Sequence, residues 1–256
     1  MKLATWNVNS IRARWTRFSD WLRERQPDVV CIQETKVEDG LFPFADIESL
    51  GYRVVFHGQK TYNGVAILAR QEPTDVVRGF GDGVDDSQAR FIAATVGGIR
   101  VASVYVPNGQ AVGSEKFVYK LAWLARLRSW LDAHTDRGST FFLCGDFNVA
   151  PDDRDVYDPE GWRDQVLCHP DERAALIRVQ DFGLDDLFRR HHAEPGIYSW
   201  WDYRQLGFPK NRGLRIDHIF GTPTAAAICG DVIVDRDARK GQEPSDHAPV
   251  VATLNL

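Results

Sequence analysis

The residues best suited to chemistry are polar side chains that follow apolar, strand-like runs. Asp146 and Asn148 come directly after the run at residues 140–144, and they stand two positions apart. Because side chains of an extended strand alternate between its faces, both should leave the strand in the same direction. A strand followed by a turn, in which the Asp or Asn side chain binds the backbone, also explains such a stretch. The other strand ends must decide between the two interpretations.

Eight polar residues share this placement at or just after the end of a predicted strand: Asn7, Glu34, Tyr105, Asp146, Asn148, Asp217, Asp246 and His247. A hard divalent cation such as Mg²⁺ prefers carboxylate, water and phosphate oxygens, and Glu34 and Asp246 supply carboxylates. A histidine held in one tautomer by a second carboxylate is a usual acid–base or electrostatic group beside a phosphate. His247 with Asp217 fits that description.

Three neutral donors complete the set, since Asn7, Asn148 and Tyr105 can hold phosphate oxygens or orient a water molecule. The sequence lacks a P-loop, a dinucleotide-binding glycine motif, a Gly-x-Ser-x-Gly elbow and a cysteine–histidine pairing at a helix start. Metal-assisted hydrolysis of a phosphoester by activated water therefore fits best. Each residue alone also has an ordinary explanation, such as a solvated charge, an ion pair or a surface tyrosine.

Length, charge and cysteine content limit the class of protein. The 256 residues allow one large domain or two small ones, and the net charge of -5 argues against a non-specific polycation. A local basic rim or a bound cation could still attract a polyanion. The four cysteines have no metal-binding spacing, which predicts buried thiols in a reducing compartment. With no signal-peptide pattern and no apolar run of membrane length, a cytoplasmic protein without a membrane partner is expected.

The N-terminal elements indicate how the site is assembled. Residues 3–8 predict a strand, Ser10 can cap a helix with apolar positions Ile11, Trp15 and Phe18, and residues 29–33 predict a second strand. A β-α-β opening suggests a parallel pair, whose strands end at the same edge. Asn7 and Glu34 should therefore be near neighbours.

Many short strands and few helices follow along the chain. We predict strands at 53–56, 64–69, 91–96, 99–106, 140–144, 198–201, 214–220, 228–234 and 250–254, helices at 114–134 and 170–182, and a polar loop at 151–162. Gly97-Gly98 is typical of a hairpin turn. This distribution favours one α/β sandwich domain over residues 1–256 rather than a doubly wound sheet.

Eight segments, in order along the chain, resemble the exonuclease III family of abasic-site endonucleases, within the endonuclease/exonuclease/phosphatase superfamily: residues 5–12, 32–36, 62–68, 105–109, 145–148, 198–204, 211–217 and 245–249. Gln-Glu-Thr-Lys, Gly-Asp-Phe-Asn and Ser-Asp-His are shared widely across the superfamily. Trp-Trp-Asp-Tyr-Arg at 200–204 and Asn-Arg-Gly-Leu-Arg-Ile-Asp at 211–217 are narrower and select the nucleases.

The resemblance implies a four-layered, DNase I-like α/β sandwich, with two mixed sheets face to face and helices outside. It implies that Glu34 is the principal ligand of Mg²⁺, which Mn²⁺ could replace, with Asn7 and Asp246 close to the cation. Asp146 would position or deprotonate the attacking water beside Asn148. His247, held by Asp217, and Tyr105 would contact the scissile phosphate. The sequence leaves open whether Asp146 or His247 is the base.

The resemblance also implies a substrate and the residues that bind it. The substrate would be duplex DNA with abasic sites or blocked 3′ ends, cleaved by a monomer. Trp200, Leu214 and Ile216 could line an apolar pocket for a base-free sugar, whereas core packing is the better interpretation of Trp201. Basic residues could contact phosphates, although each could also be a solvated charge: Arg204, Arg212, Lys116, Arg90, Lys210, Arg215, Lys36 and Lys60.

Two alternatives and two departures from the family remain. A sister phosphoesterase for a small or lipid phosphate would keep the metal site but lack the two narrow segments, and a non-catalytic nucleic-acid-binding module would lose some of the acidic residues. The loop at 110–114 is shorter and less basic than in several relatives. The segment 167–173 is variable, and its His169 could influence the balance between internal cleavage and trimming of 3′ ends.

Overall fold

Fourteen strands form two six-stranded sheets and one two-stranded ribbon in the computed structural model, which describes every residue from Met1 to Leu256. The strands are β1 (Lys2–Asn7), β2 (Val29–Gln33), β3 (Arg53–His57), β4 (Val65–Ala69), β5 (Thr74–Arg78), β6 (Phe91–Val96), β7 (Ile99–Tyr105), β8 (Phe141–Asp146), β9 (Asp185–Asp186), β10 (Trp200–Trp201), β11 (Gly213–Leu214), β12 (Asp217–Gly221), β13 (Cys229–Val234) and β14 (Val250–Leu254). The first sheet has the order β13-β14-β1-β2-β4-β3, the second has the order β5-β6-β7-β8-β12-β9, and β10 pairs with β11.

Each large sheet is mixed and contains one parallel pair at its centre. β1 is parallel to β2 in the first sheet, and β7 is parallel to β8 in the second. Asn7 stands opposite Gln33 at the end of the first pair, and Tyr105 stands opposite Asp146 at the end of the second. The predicted parallel β-α-β opening is therefore confirmed, and the functional candidates lie at the carboxyl ends of both pairs.

Alternating side chains explain the layers. In β1, Leu3 joins the apolar core between the sheets, whereas Ala4 and Trp6 face outward onto a helix layer. The helices are α1 (Trp15–Arg25), α2 (Phe44–Ser49), α3 (Glu115–His134), α4 (Pro159–Trp162), α5 (Pro170–Gln180), α6 (Leu187–His191) and α7 (Pro223–Ile228). α1 and α2 cover the outer face of the first sheet, and α3 and α5 cover that of the second.

The predicted four-layered α/β sandwich is thus confirmed. All four cysteines are buried and free, as the sequence predicted. None of the helices is both long enough and apolar enough to span a bilayer.

Three element predictions differ from the structure. The first helix begins at Trp15 rather than after Ser10, because Ser10 has a left-handed backbone (φ 82°) and its hydroxyl accepts a bond from Ala13 N–H within a turn. The single strand predicted at 214–220 is two strands in different sheets. The hydroxyl of Ser199 accepts bonds from the N–H groups of Ile216 and Asp217 at the break. The predicted loop at 151–162 contains a 3₁₀ turn and α4.

Candidate active site

The polar strand ends meet at one edge of the sandwich. In the second sheet, Asp146 at the end of β8 lies opposite both Tyr105 on β7 and Asp217 on β12. Asn7 reaches across from the first sheet, and its amide donates to Asp146 Oδ2 at 2.9 Å. One site therefore joins the carboxyl ends of the two parallel pairs.

Asp146 is the central carboxylate of this site. It is 1% exposed, and it accepts bonds from the amide of Asn7 and from the backbone N–H and side-chain amide of Asn148, at 2.9, 2.9 and 3.2 Å. Burial raises the pKa of Asp146 to about 7, against the opposing charge of His247. A carboxylate with a pKa near neutrality is suited to accept a proton from water.

Glu34 follows β2 and brings a second carboxylate to the site. The amide of Asn7 donates to its Oε1 at 2.9 Å, and Lys36 Nζ lies 2.7 Å from its Oε2. Burial alone would raise the pKa of Glu34, but Lys36 and the Asn7 amide outweigh it, so this pKa is lowered. Glu34 is therefore ionised at neutral pH, and the predicted proximity of Asn7 and Glu34 is confirmed.

His247 forms a buried chain with Asp217 and Ser199. Its Nδ1 lies 2.9 Å from Asp217 Oδ2, which also accepts a bond from the Ser199 hydroxyl at 2.6 Å. Its Nε2 lies 3.8 Å from Asp146 Oδ2. Burial would lower the pKa of His247, but the charges of Asp217 and Asp146 outweigh it and raise this pKa to about 10. His247 is an imidazolium at neutral pH, fixed by Asp217 and directed toward Asp146.

Ligand atoms of Glu34, Asp146 and His247 all lie within 4.8 Å of one another. The two carboxylates are the oxygen donors that a hard divalent cation prefers. A protonated imidazole cannot ligate a metal, so the fit rests on the carboxylates. The amide nitrogen of Asn7 faces both of them, while its carbonyl oxygen accepts a bond from Asn9 N–H.

The Asp246 carboxylate does not belong to this group of three ligands. Asn9 Nδ2 donates to one of its oxygens at 2.9 Å, and Trp200 Nε1 donates to the other at 3.0 Å. Burial opposes ionisation, but His247 and these donors outweigh it and lower the pKa of Asp246. Asp246 is therefore a fixed anion, and its place near a cation stays a prediction.

Tyr105 and Asn148 flank the central carboxylate. Burial and the charges of Glu34 and Asp146 hold the pKa of Tyr105 well above its ordinary value, so the hydroxyl stays protonated as a donor. Asn148 adopts a left-handed backbone (φ 50°), which an asparagine tolerates, and this turns its amide back onto Asp146.

The three residues of the predicted apolar pocket differ in exposure. Leu214 and Ile216 are fully buried in a small cluster beneath the site, and Trp200 is the partly exposed member. Trp200 pairs with Leu214 in the ribbon and forms a backbone bridge to His247, which fixes it beside the site. Trp201 is buried, so its interpretation as a core residue is confirmed.

Four of the predicted basic residues lie either in a cleft or on the exposed surface. Arg90 and Lys116 line a cleft of about 760 Å³ next to Tyr105. Arg204 and Arg212 are exposed, and Arg204 forms an ion pair with Asp202.

Arg215 is not available to a substrate, and its prediction as a phosphate contact was wrong. It is buried, and it forms ion pairs with Asp155 and Asp186 at 2.6 and 2.7 Å. It lies between β11 and β12, where Asp155 and Asp186 from other segments hold its side chain in the interior.

Several residues at the site were not found from the sequence. Ser199 and Asn9 hold the carboxylates of Asp217 and Asp246. Lys120, fully buried in α3, donates to the backbone carbonyls of Asn108 and Asn148. For Lys120, the sequence signal was a lysine on the apolar face of the predicted helix. Ser199 and Asn9 had no such signal.

His169 caps a helix in this structure. Its Nδ1 accepts a bond from Asp171 N–H, and its ring packs edge-on against Phe117 at 5.3 Å. The first turn of α5 is therefore anchored to α3 on the rim of the site. Any influence of His169 on activity stays a prediction.

The comparisons agree with this geometry. Residues 4–247 match the model of the endonuclease/exonuclease/phosphatase family. An exodeoxyribonuclease III of Haemophilus influenzae is 39% identical and covers 98% of this chain and 99% of its own length. A 3′ phosphatase from Neisseria, solved with a product DNA hairpin, has a TM-score of 0.98 at 44% identity, with both chains fully covered. An AP endonuclease from Archaeoglobus fulgidus has a TM-score of 0.97 at 42% identity, again over the whole of both chains. The chain therefore belongs to the endonuclease/exonuclease/phosphatase family, in its exodeoxyribonuclease III branch of hydrolytic nucleases.

Proposed function

We propose that this chain is a Mg²⁺-dependent DNA repair phosphodiesterase, which cleaves the backbone 5′ to abasic sites and trims or unblocks the 3′ ends of duplex DNA. The observation that carries the proposal is the environment of Asp146, a buried carboxylate of raised pKa that faces the imidazolium of His247. Relatives named for exonuclease, 3′ phosphatase and AP endonuclease activities support DNA as the substrate.

The roles of the residues follow from their charges. Asp146 accepts a proton from the attacking water, because Asn7 and Asn148 hold its carboxylate in place. Its pKa is raised, whereas the pKa of the Glu34 carboxylate is lowered. His247 is already protonated and stabilises negative charge on the scissile phosphate, with Asp217 fixing its ring. The new bond joins water oxygen to phosphorus, and the bond from phosphorus to the 3′ oxygen breaks.

Glu34 would be the principal ligand of Mg²⁺, with Asn7 and Asp246 close by and Mn²⁺ able to substitute. When bound, such a cation supplies Lewis-acid stabilisation of charge on the phosphoryl group and on the departing oxygen. Glu34 is suited to hold it because its pKa is lowered and the carboxylate is ionised.

Substrate choice would depend on the rim of the site. Arg90 and Lys116, in the cleft beside Tyr105, would contact phosphates of the DNA backbone. The exposed Arg204 and Arg212 would do the same. Trp200, over the buried Leu214 and Ile216, would form the wall against which a base-free sugar packs. We further propose that the chain works as a single-domain monomer.

A metal-dependence assay on a duplex with one abasic site tests the proposal. We expect incision on the 5′ side with Mg²⁺, loss of incision with EDTA, and recovery with added Mg²⁺ or Mn²⁺. A blocked 3′ end on the same duplex should be removed under the same conditions. Equal turnover of inositol phosphates, or incision that persists in EDTA, would contradict the proposal.

Asp217→Asn should lower the pKa of His247 by roughly 1 to 3, because it removes the nearest charge that holds the imidazolium. The pKa can be followed by NMR of the ring in metal-free protein. A raised histidine pKa means that the charge is lost as pH rises through it. Activity of the variant should therefore fall at a lower pH than in the wild type. An unchanged His247 pKa would refute the assignment, and the exposed Asp132→Asn variant serves as the control.

Trp200→Ala should reduce selectivity for an abasic site over an intact nucleotide by roughly tenfold, because a wall of the sugar pocket is lost. Cleavage of intact duplex ends should fall much less. Trp162→Ala is a matched control, since Trp162 packs on the same apolar cluster without contacting Asp246. If both activities fall equally in Trp200→Ala, the residue is structural and the pocket assignment fails.

A further inference from the structure

Arg239 is a buried cation without a partner. It ends the 3₁₀ turn Arg236–Arg239 and is 7% exposed, and its side chain makes no hydrogen bond or ion pair. Its Nε is enclosed and unpaired. Only the Nε is enclosed, so the two unpaired Nη atoms reach the surface, where they are suited to bind an anion from outside the chain.

No carboxylate of the surrounding loops forms an ion pair with it. Asp202 is paired with Arg204 at 2.6 Å, and Asp237 is paired with Lys240 at 2.6 Å. Asp235, at the start of the turn, is paired with Arg25 at 2.7 Å, and the Asp246 carboxylate accepts bonds from an asparagine and a tryptophan rather than from Arg239. The positive charge of Arg239 is thus available to a ligand.

Two aromatic rings fix the orientation of the guanidinium. Its Cζ lies 5.0 Å from the ring centres of both Tyr203 and Phe208. Residues of the loops at 202–209 and 239–244, Arg239 among them, line a cleft of about 350 Å³. A planar guanidinium on the wall of such a cleft can bind phosphate through two parallel hydrogen bonds.

The cleft adjoins the active site. The Tyr203 hydroxyl accepts bonds from Asn9 and Arg14 at 3.4 and 3.3 Å, and the same Asn9 amide donates to Asp246. The side chain of Asn9 therefore links Asp246 to Tyr203 in the cleft. A phosphate bound there would belong to a nucleotide other than the one being cleaved.

We propose that Arg239 and this cleft form a phosphate-binding site, which holds one backbone phosphate of the DNA substrate away from the scissile bond. The inference rests on the proposed function, because it takes DNA as the source of the phosphate. It assigns substrate positioning to a loop outside the segments that suggested the family.

The salt dependence of DNA binding tests the proposal. Arg239→Met should weaken duplex binding in EDTA about ten- to hundredfold, as expected for one lost charge-assisted contact. The slope of log K against log salt should decrease in magnitude by about 1, because one fewer counterion is released. Arg239→Lys should restore the slope and only part of the affinity, since it keeps the charge without the planar fork.

Arg236→Met is the matched control. Arg236 lies in the same turn, also stacks on Phe208 and donates to the carbonyl of that residue, but it does not line the cleft. This variant should keep the wild-type slope. If Arg239→Met also keeps the wild-type slope, Arg239 is structural and the proposal is overturned, while metal-dependent cleavage by the wild type would leave the proposed function standing. Melting temperatures of the variants confirm that each is folded.

Neutral methylphosphonate substitutions, placed one at a time along the duplex, identify the phosphate. A neutral group at the phosphate that Arg239 contacts should weaken binding by the wild type. The same substitution should not weaken binding by Arg239→Met any further. A free phosphate is the other source of the same chemistry, and calorimetry with inorganic phosphate distinguishes it. Phosphate bound by the wild type but not by Arg239→Met, with no duplex position whose sensitivity is lost in Arg239→Met, would overturn DNA as the ligand.

Discussion

Asp146→Asn should reduce kcat for incision at an abasic site by roughly 10³- to 10⁴-fold, the range expected for loss of a positioned general base. The amide is nearly the same size as the carboxylate, so the fold should remain intact. It cannot accept a proton from water, and its nitrogen must face a donor, because Asn7 and Asn148 both donate to the oxygens of Asp146. Single-turnover kinetics measure the chemical step, and fluorescence anisotropy measures duplex affinity.

Binding and chemistry should separate in this variant. Duplex affinity in EDTA should stay within a few fold of the wild type, because Asp146 is buried and contributes repulsion rather than attraction to a phosphate. Asp132→Asn, an exposed change of the same chemistry on α3, should leave kcat unchanged. If Asp146→Asn retains more than about a tenth of wild-type kcat, the proton goes to another group and the base has been assigned wrongly.

Much of the site could be predicted from the sequence because strand ends are local features. Glu34, Asp146 and Asp217 follow or begin short apolar runs, and parallel pairing places such residues at one edge. The sequence could not show which atoms face each other. The distance of 3.8 Å between His247 Nε2 and Asp146 Oδ2 depends on how the two sheets pack, which a single sequence does not specify.

The errors arise where contacts with distant segments override the local sequence pattern. Ser10 has the composition of a helix cap, but its N–H donates to the carbonyl of Glu34, and that long-range bond holds it in a turn. Arg215 stands among basic residues in the sequence, but Asp155 and Asp186 come from distant segments and bury it. Contacts between residues far apart in the chain leave no signal in a single sequence.

Lys120→Met should be the most destabilising single change near the site, with an expected loss of about 3 to 5 kcal/mol in the free energy of unfolding. Lys120 and Glu172 form an ion pair in which both side chains are fully buried. Removal of the lysine leaves the Glu172 carboxylate enclosed without its counterion. Urea denaturation measures the loss, and the exposed ion-paired Arg53→Met variant should change stability by less than about 1 kcal/mol.

Activity should fall together with stability, because Lys120 also donates to the carbonyls of Asn108 and Asn148 and so joins two loops that flank Asp146. Glu172→Gln in the Lys120→Met background removes the stranded charge while keeping an acceptor for His169 N–H. It should recover much of the lost stability, since the buried charge is the main cost, but not the lost kcat, since the two carbonyls still lack their donor. If kcat recovers with stability, Lys120 acts through the fold alone. If stability does not recover, the unpaired carboxylate is not the cause of the loss, and the buried carbonyls that Lys120 satisfies must account for it.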